Sequence, residues 1–298
     1  MWAVPTLDRL IGSGIDVAAV VTNPDRPSGR GMKLTPSPVK EAATRLGLET
    51  IQVEKARDPA LLERMQAIAP DVAVVVAYGS ILPGALLEVP PKGFVNLHFS
   101  LLPLYRGAAP VQRAIMEGQK ESGASLMVLT EGMDEGPVLA MVEIPIDPDD
   151  TTPSYGSKLA GIGAELMVDV LPSYVRGDTQ PTPQDDSLAT YAPKLTTEDA
   201  RIDWTAPCAA IRDLVRALDP DPGAWTTLHG GRLKVFRVAQ VGRDDLSPGS
   251  VDTEGGLFVG AADGAVELVE VQPASKKRMP GRDFARGLRL DGDERMGE

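Results

Sequence analysis

An α/β fold built on a mostly parallel sheet, followed by a small β domain, is what this 298-residue sequence predicts. Three observations carry that prediction. The first two-thirds alternates short β-branched runs with amphipathic helical stretches, as a helix-covered parallel sheet does. The composition then changes over 179–186, which is rich in Pro, Gln and Asp. Beyond Pro207 one helical stretch gives way to alternating strands joined by tight turns. The predicted organisation is a first domain over 1–178, a connection over 179–206 and a C-terminal domain over 207–298.

The elements follow in order. A short helix is predicted over 6–11, and strands over 16–22, 71–77, 94–98, 125–130 and 138–146, where β-branched and other apolar residues cluster between turn signals. Ser37-Pro38 places a capping hydroxyl before a proline at the first helical position, and Gly47 closes that helix. Asp58-Pro59 repeats the signal, with Leu61, Leu62, Met65 and Ile68 expected on one face. After Pro153 a longer helix is marked by Leu159, Ile162, Leu166 and Val170 and ends at Gly177. The segment 179–186 reads as an exposed connection. A helix over 209–218 precedes hairpin turns at 228–233 and 262–265, and the residues from Asp291 onward read as polar and frayed.

Composition removes several classes of function. Hydrophobic residues are 43% and charged residues 24%, ordinary for a globular protein. The longest apolar runs, such as 72–77, are far below the roughly 20 residues of a membrane span, and 1–5 shows no secretory pattern. Cys208 is the one cysteine, so neither an intramolecular disulfide nor a cysteine-based metal cluster is expected, and a reducing cytoplasm fits best. The net charge of −12 argues against nonspecific coating of nucleic acid, yet leaves room for a local basic site.

The densest chemical signal is Asn96-Leu97-His98-Phe99-Ser100-Leu101-Leu102-Pro103, running off the carboxyl end of a predicted strand, where open parallel sheets bind ligands. Alternation puts Asn96 and His98 on one face, where an amide donor and an imidazole can converge on one atom. Such a pair suits acyl chemistry: the amide stabilises an oxyanion and the imidazole moves a proton. His229, the second of two histidines, falls in a hairpin turn and reads as a surface residue. His98 alone fits a satisfied core histidine as well as a catalytic one. Glu131-Gly132-Met133-Asp134-Glu135-Gly136-Pro137 fits a solvated hairpin, but beside the histidine strand Asp134 could orient and support His98. No Ser or Cys nucleophile motif is present, so direct attack by an amine is simpler than an acyl-enzyme. Arg26, Arg30, Lys33 and Lys40 lie among Gly and Pro on a segment expected to be mobile; phosphate contact and simple solvation both fit. Lys276-Lys277-Arg278 is a second small cluster.

Taken together, Asn-x-His, Ser-Leu-Leu-Pro, Tyr105-Arg106-Gly107-Ala108-Ala109-Pro110 and the Gly-x-Asp-x-Gly turn resemble the folate-dependent formyltransferase family. The likeness extends through Pro24-Asp25-Arg26-Pro27, Gly29-Arg30-Gly31, Pro36-Ser37-Pro38-Val39-Lys40 and Arg201-Ile202-Asp203-Trp204 to the branch acting on methionyl-tRNA, and covers nearly the whole chain. The resemblance implies a Rossmann-like first domain and an OB-like C-terminal β-barrel that grips tRNA. It implies Asn96, His98 and Asp134 as the catalytic trio. Contacts to the folate would come from Ser100, Leu101, Leu102 and Pro103, and from Tyr78, Gly79, Ile81 and Leu82 along the pterin pocket. Arg30 and Lys33 would face the tRNA. The implied partners are 10-formyltetrahydrofolate as formyl donor and initiator methionyl-tRNA as acceptor, with no metal and no membrane, and a monomer is expected.

Related formyl transfers to a sugar amine or glycinamide ribonucleotide, and hydrolysis of the formyl folate, share the trio, but should lack the Arg30 loop and the β domain. An inactive folate- or RNA-binding protein is the competitor from another class. The sequence also departs from the family at its start: it enters directly on the first helix, without the preceding hydrophobic strand and Gly-Thr-Pro turn. That strand lies inside the sheet in this family, so neighbouring strands are expected to be left with an open edge, and the natural start is expected upstream.

Overall fold

A computed structural model describes residues 1–28, 32–288 and 294–298. Its elements are α1 (Ala3–Gly12), β1 (Val20–Thr22), β2 (Arg26–Ser28), β3 (Lys33–Thr35), α2 (Pro38–Arg45), β4 (Thr50–Gln52), α3 (Pro59–Ile68), β5 (Ala73–Val76), α4 (Gly84–Leu87), β6 (Phe94–His98), α5 (Pro110–Met116), β7 (Glu121–Val128), β8 (Val138–Pro145) and α6 (Thr152–Arg176). They continue with α7 (Cys208–Leu218), β9 (Ala224–Leu228), β10 (Gly231–Val241), β11 (Val251–Asp252), β12 (Phe258–Ala261), β13 (Gly264–Pro273), β14 (Met279–Pro280) and α8 (Gly281–Ala285). The chain divides into two compact units. One comprises Met1–Pro110, Glu121–Pro145 and Gly156–Pro193; the other comprises Val111–Lys120, Ile146–Tyr155 and Lys194–Glu298.

In the first unit α2 and α3 start at the side chains that cap them. Ser37 accepts from the Lys40 amide at α2, and Asp58 accepts from the Ala60 amide at α3, each followed by proline at the first position. The strands fall into pieces: β1 pairs with β4 in parallel, β2 and β3 form a hairpin, and the remaining sheet runs β5-β6-β7-β8. Only β5–β6 is parallel in that last sheet; β6–β7 and β7–β8 are antiparallel. The sheet is therefore more mixed than the sequence pattern suggests. Among the described residues β1 and β5 each have a single ladder partner, so each keeps one open edge. What joins the pieces is packing. Leu61 and Met65 of α3 bury with Leu86 and Phe94, and both Val21 with Ile51 and Ala73 with Val75 pack on that cluster.

The long helix α6 is rotated from its expected face. Tyr155, Leu159, Ala160, Ala164, Met167 and Leu171 form the buried stripe, while Ile162 is 40% exposed. Leu and Ile are both apolar, so periodicity alone could not choose between neighbouring stripes. A small residue decides it: a Cβ at Gly163 would lie 2.7 Å from Leu97 Cδ1, so α6 lies close against the middle of β6.

In the second unit one antiparallel sheet runs β11-β12-β13-β10-β9, with β14 on β13. The expected barrel is an open one, since no ladder joins β9 to β11 among the described residues. The predicted hairpin turns are present: His229 and Gly230, with φ of 50° and 68°, link β9 to β10, and Ala261 pairs with Gly264 across the next turn. The chain end is not frayed where it is described. Met296 is buried, and Arg295 donates to the Pro248 carbonyl at 2.9 Å.

Two expectations follow. Gly163→Ala should lower the melting temperature, because its Cβ would meet both Leu97 methyls at 2.7 and 2.8 Å and Leu97 is 2% exposed; overpacking of this kind costs about 1–3 kcal/mol, more than the roughly 1 kcal/mol that alanine gains in a helix. An unchanged melting temperature would show that α6 and β6 can separate freely. In the second unit, burial first, and then the Asp263 carboxylate, push the Cys208 thiol up from 9.0 to about 11. The folded chain thus keeps a proton that the unfolded chain loses, so this contribution to stability is intact below pH 9.0 and lost as pH rises toward about 11. Iodoacetamide at pH 8 should label Cys208 slowly in the native chain and rapidly in urea; rapid native labelling would contradict this.

Candidate active site

Strand β6 is buried at all five positions, flanked by β5 and β7, and delivers Asn96 and His98 on one face at its carboxyl end. The following loop is tied back onto the sheet. Ser100 Oγ donates to the Leu104 carbonyl at 2.6 Å, and Ser125 Oγ donates to the Ser100 carbonyl at 2.6 Å while accepting from the Leu102 amide at 3.1 Å. These bonds turn the chain so that the Tyr105 carbonyl stands 2.9 Å from His98 Nε2.

On the other side of the ring, Asp134 Oδ2 lies 3.6 Å from His98 Nδ1. That exceeds hydrogen-bond length, so the interaction is electrostatic. The same oxygen accepts the Gly107 amide at 2.8 Å. Both ring nitrogens therefore face oxygen acceptors. Of the two, only the Nε2 contact is within hydrogen-bond length. Burial of His98 to 6% exposure strengthens the attraction between an imidazolium and Asp134. Two backbone conformations hold this geometry, since Tyr105 and Asp134 both have positive φ, 59° and 52°.

The residues read as folate-contacting divide. Ser100 and Leu102 are buried and already serve the loop; Leu101 and Pro103 are half-buried. The turn bearing Tyr78, Gly79, Ile81 and Leu82 leaves the same sheet edge, because Val76 is in register with Leu97. Tyr78 and Leu82 pack on the α3 cluster, whereas Gly79 is exposed and Ile81 is 81% exposed. The Tyr78 hydroxyl is buried without a hydrogen-bond partner among the described residues, and burial raises its pKa.

Of the residues read as facing tRNA, Lys33 is exposed on β3, between exposed Met32 and Leu34, and Arg30 lies outside the described residues. Lys40 is not on a mobile segment. It sits in α2, donates to both Asp25 carboxylate oxygens at 2.9 and 2.8 Å and to Gln52 at 2.8 Å, and its pull lowers the Asp25 pKa. In the second unit Arg278 is likewise committed, paired with Asp219 at 2.8 Å and stacked on Phe236 at 3.3 Å, while Lys276 and Lys277 are exposed. His229 is half-exposed in its turn, 3.7 Å from Glu294.

Sequence reasoning missed the groups that hold His98 and Asp134: the Tyr105 carbonyl, the Gly107 amide and the side chain of Gln184. Main-chain groups carry no signal in residue type, and Gln184 lies 50 positions from Asp134, whose carbonyl it binds.

The profile of the formyl transferase family matches residues 2–171, and that of its C-terminal domain matches 194–289. The chain belongs to the formyl transferase family. The methionyl-tRNA formyltransferase of Streptomyces coelicolor is 48% identical, over 99% of this chain and 96% of that protein. The protein of that name from a Roseiflexus species is 45% identical, over 100% and 93%. Among solved structures, an N-formyltransferase from Helicobacter canadensis in complex with folinic acid and dTDP-3-aminofucose superposes with a TM-score of 0.67 at 17% identity, covering 93% of this chain and 96% of that one. HypX from Aquifex aeolicus in complex with tetrahydrofolic acid gives 0.63 at 23% identity, over 83% and 45%. At those identities the structures speak for the fold alone. No helix among the described residues is long and apolar enough to cross a membrane.

Proposed function

We propose that this chain transfers the formyl group of 10-formyltetrahydrofolate to the α-amine of methionyl-tRNA, in the cytoplasm. The observation that carries the reading is identity of 43–48% across both domains to proteins named for that reaction. It is supported by Asn96 and His98 two residues apart on buried β6, with Asp134 3.6 Å from the His98 ring. The neutral amine attacks the formyl carbon, forming a C–N bond and an oxyanion. Asn96 donates its amide N–H to that oxygen, and protonated His98 supplies the second donor by exchanging its bond to the Tyr105 carbonyl. Asp134 stabilises the imidazolium. Collapse breaks the bond to N10 of the folate, which takes up a proton as the former amine loses one, directly or through a water. No covalent enzyme intermediate is needed.

Ser100–Pro103 and the turn at 78–82 would form the walls that receive the pterin, with backbone groups reading its edge. The hairpin β2–β3 with Arg30 and Lys33, and the second unit, would engage the tRNA. Identity of 43–48% across both domains favours this acceptor over a sugar amine or a nucleotide; since the Helicobacter canadensis N-formyltransferase also covers 93% of this chain, what bears on the acceptor is the surface of the β domain. Its open sheet and the exposed Lys276 and Lys277 suit a large polyanion, although the whole chain carries a charge of −12.

A single-turnover assay with formyl folate and charged initiator tRNA tests the reading. His98→Ala and Asp134→Ala should each slow formyl transfer by at least about a hundredfold, with the double variant scarcely worse than either, since groups that act as a unit lose their function together. Near-wild-type turnover in either single variant would remove that residue from the mechanism. Arg30→Ala and Lys33→Ala should each weaken use of charged tRNA and reduce the salt slope by about one, leaving folate affinity unchanged. If tRNA kinetics and salt slope stay at wild-type values, the loop is merely solvated surface.

A further inference from the structure

We infer that residues 182–192, read from the sequence as part of a plain connection, form a strap that sets the position of both oxygen acceptors facing His98, with Gln184 and Thr190 as its positioning residues. The inference rests on the catalytic role proposed for His98 and Asp134.

The strap is pinned at three points within the first unit. Thr182 exchanges two backbone hydrogen bonds of 2.8 Å with Val138 at the start of β8. Gln184 Nε2 then donates to the Asp134 carbonyl at 2.9 Å and to the Gly136 carbonyl at 2.7 Å. Its Oε1 accepts from Arg106 Nε at 3.1 Å and Nη2 at 2.9 Å. One side chain thus ties the turn that carries Asp134 to the residue next to Tyr105. Arg106 is itself 3% exposed and reaches Asp186 of the strap at 2.7 Å. At the third point Thr190 Oγ1 accepts the Tyr105 amide at 2.8 Å and the Thr190 carbonyl accepts the Arg106 amide at 2.9 Å; the Ala192 amide donates to the Arg106 carbonyl at 2.7 Å.

These contacts have a directional consequence. Tyr105 and Asp134 each have positive φ, a conformation that non-glycine residues hold only when surroundings over-determine it. The strap supplies that restraint from one side: Thr190 holds both peptide planes of Tyr105, its hydroxyl oxygen the amide before it and its carbonyl the Arg106 amide that is coplanar with the carbonyl facing Nε2, and Gln184 fixes the backbone of Asp134, whose carboxylate lies by Nδ1. Gly107 permits the approach, since a Cβ there would fall 2.7 Å from the Ala192 carbonyl. Its amide is also the donor that holds Asp134 Oδ2. The strap therefore touches neither ring nitrogen, yet it sets what each one faces.

The test uses the full chain and separates positioning from folding. Gln184→Glu keeps the acceptor for Arg106 but replaces both donors to the 134–136 turn with a carboxylate. Thr190→Val keeps size and removes the acceptor for the Tyr105 amide; Thr190→Ser restores it. Expected are a fall in kcat on the order of ten- to a hundredfold for Gln184→Glu and Thr190→Val, KM and folate affinity within about twofold, and recovery of kcat in Thr190→Ser. Should Gln184→Glu fail to fold, the valine and serine pair at the exposed position 190 decides. Wild-type kcat in Gln184→Glu and Thr190→Val, or a valine defect that serine does not repair, overturns the strap. Absence of formyl transfer by the unaltered chain, or full activity of His98→Ala, overturns the catalytic reading instead, so the two failures are distinguishable.

Discussion

A buried imidazole held between two oxygen acceptors is the constraint around which the first unit is arranged. His98 has little solvent with which to satisfy its nitrogens, so the protein must supply a partner on each side. A carbonyl at 2.9 Å from Nε2 and a carboxylate at 3.6 Å from Nδ1 fix the orientation of the ring. An orphaned buried polar group costs about 1–3 kcal/mol, comparable to a large share of a domain's margin of roughly 5–15 kcal/mol. The loops that carry Tyr105 and Asp134 are therefore part of the folding problem as much as of the chemistry.

The rest of the unit can be understood as what it takes to hold those loops. Ser100 and Ser125 fold the first loop back with short bonds that use the donor of each hydroxyl. Close approach of the second is allowed by Gly136, where a Cβ would collide with the Val128 carbonyl at 1.8 Å. Beneath them, β6 is positioned by α6 through Gly163 and Leu97, immediately between Asn96 and His98. Several glycines here are thus matters of distance to a neighbour, and only some of backbone torsion.

Cohesion of the parallel strands comes from side chains more than from ladders. β1 with β4 and β5 with β6 share the α3 cluster although no hydrogen-bond ladder joins them among the described residues. Hydrophobic contact is nondirectional and tolerates an open edge, whereas the site demands directional bonds and places them on β6 and β7, where the ladders are continuous. An N-formyltransferase in complex with folinic acid and dTDP-3-aminofucose shares this architecture at 17% identity, so the fold by itself does not fix the acceptor.

Residue order alone determined the helix starts at Ser37 and Asp58, the buried strand 94–98 and the hairpin turns of the second unit, and it singled out Asn96, His98 and Asp134 as candidates, of which Asp134 comes to 3.6 Å from the His98 ring. Each is a local matter: a cap, an alternation or a turn acts within a few residues, and a rare residue type at a strand end marks chemistry. It did not determine which stripe of α6 is buried, the three-residue strand at 50–52, the tethering of Lys40 by Asp25, or the strap. Those depend on groups far apart in sequence meeting in space. Gln184 binds a carbonyl 50 positions away and Thr190 an amide 85 away. A main-chain carbonyl or amide looks the same at every position of a sequence, and only the tertiary structure decides which of them a side chain will find.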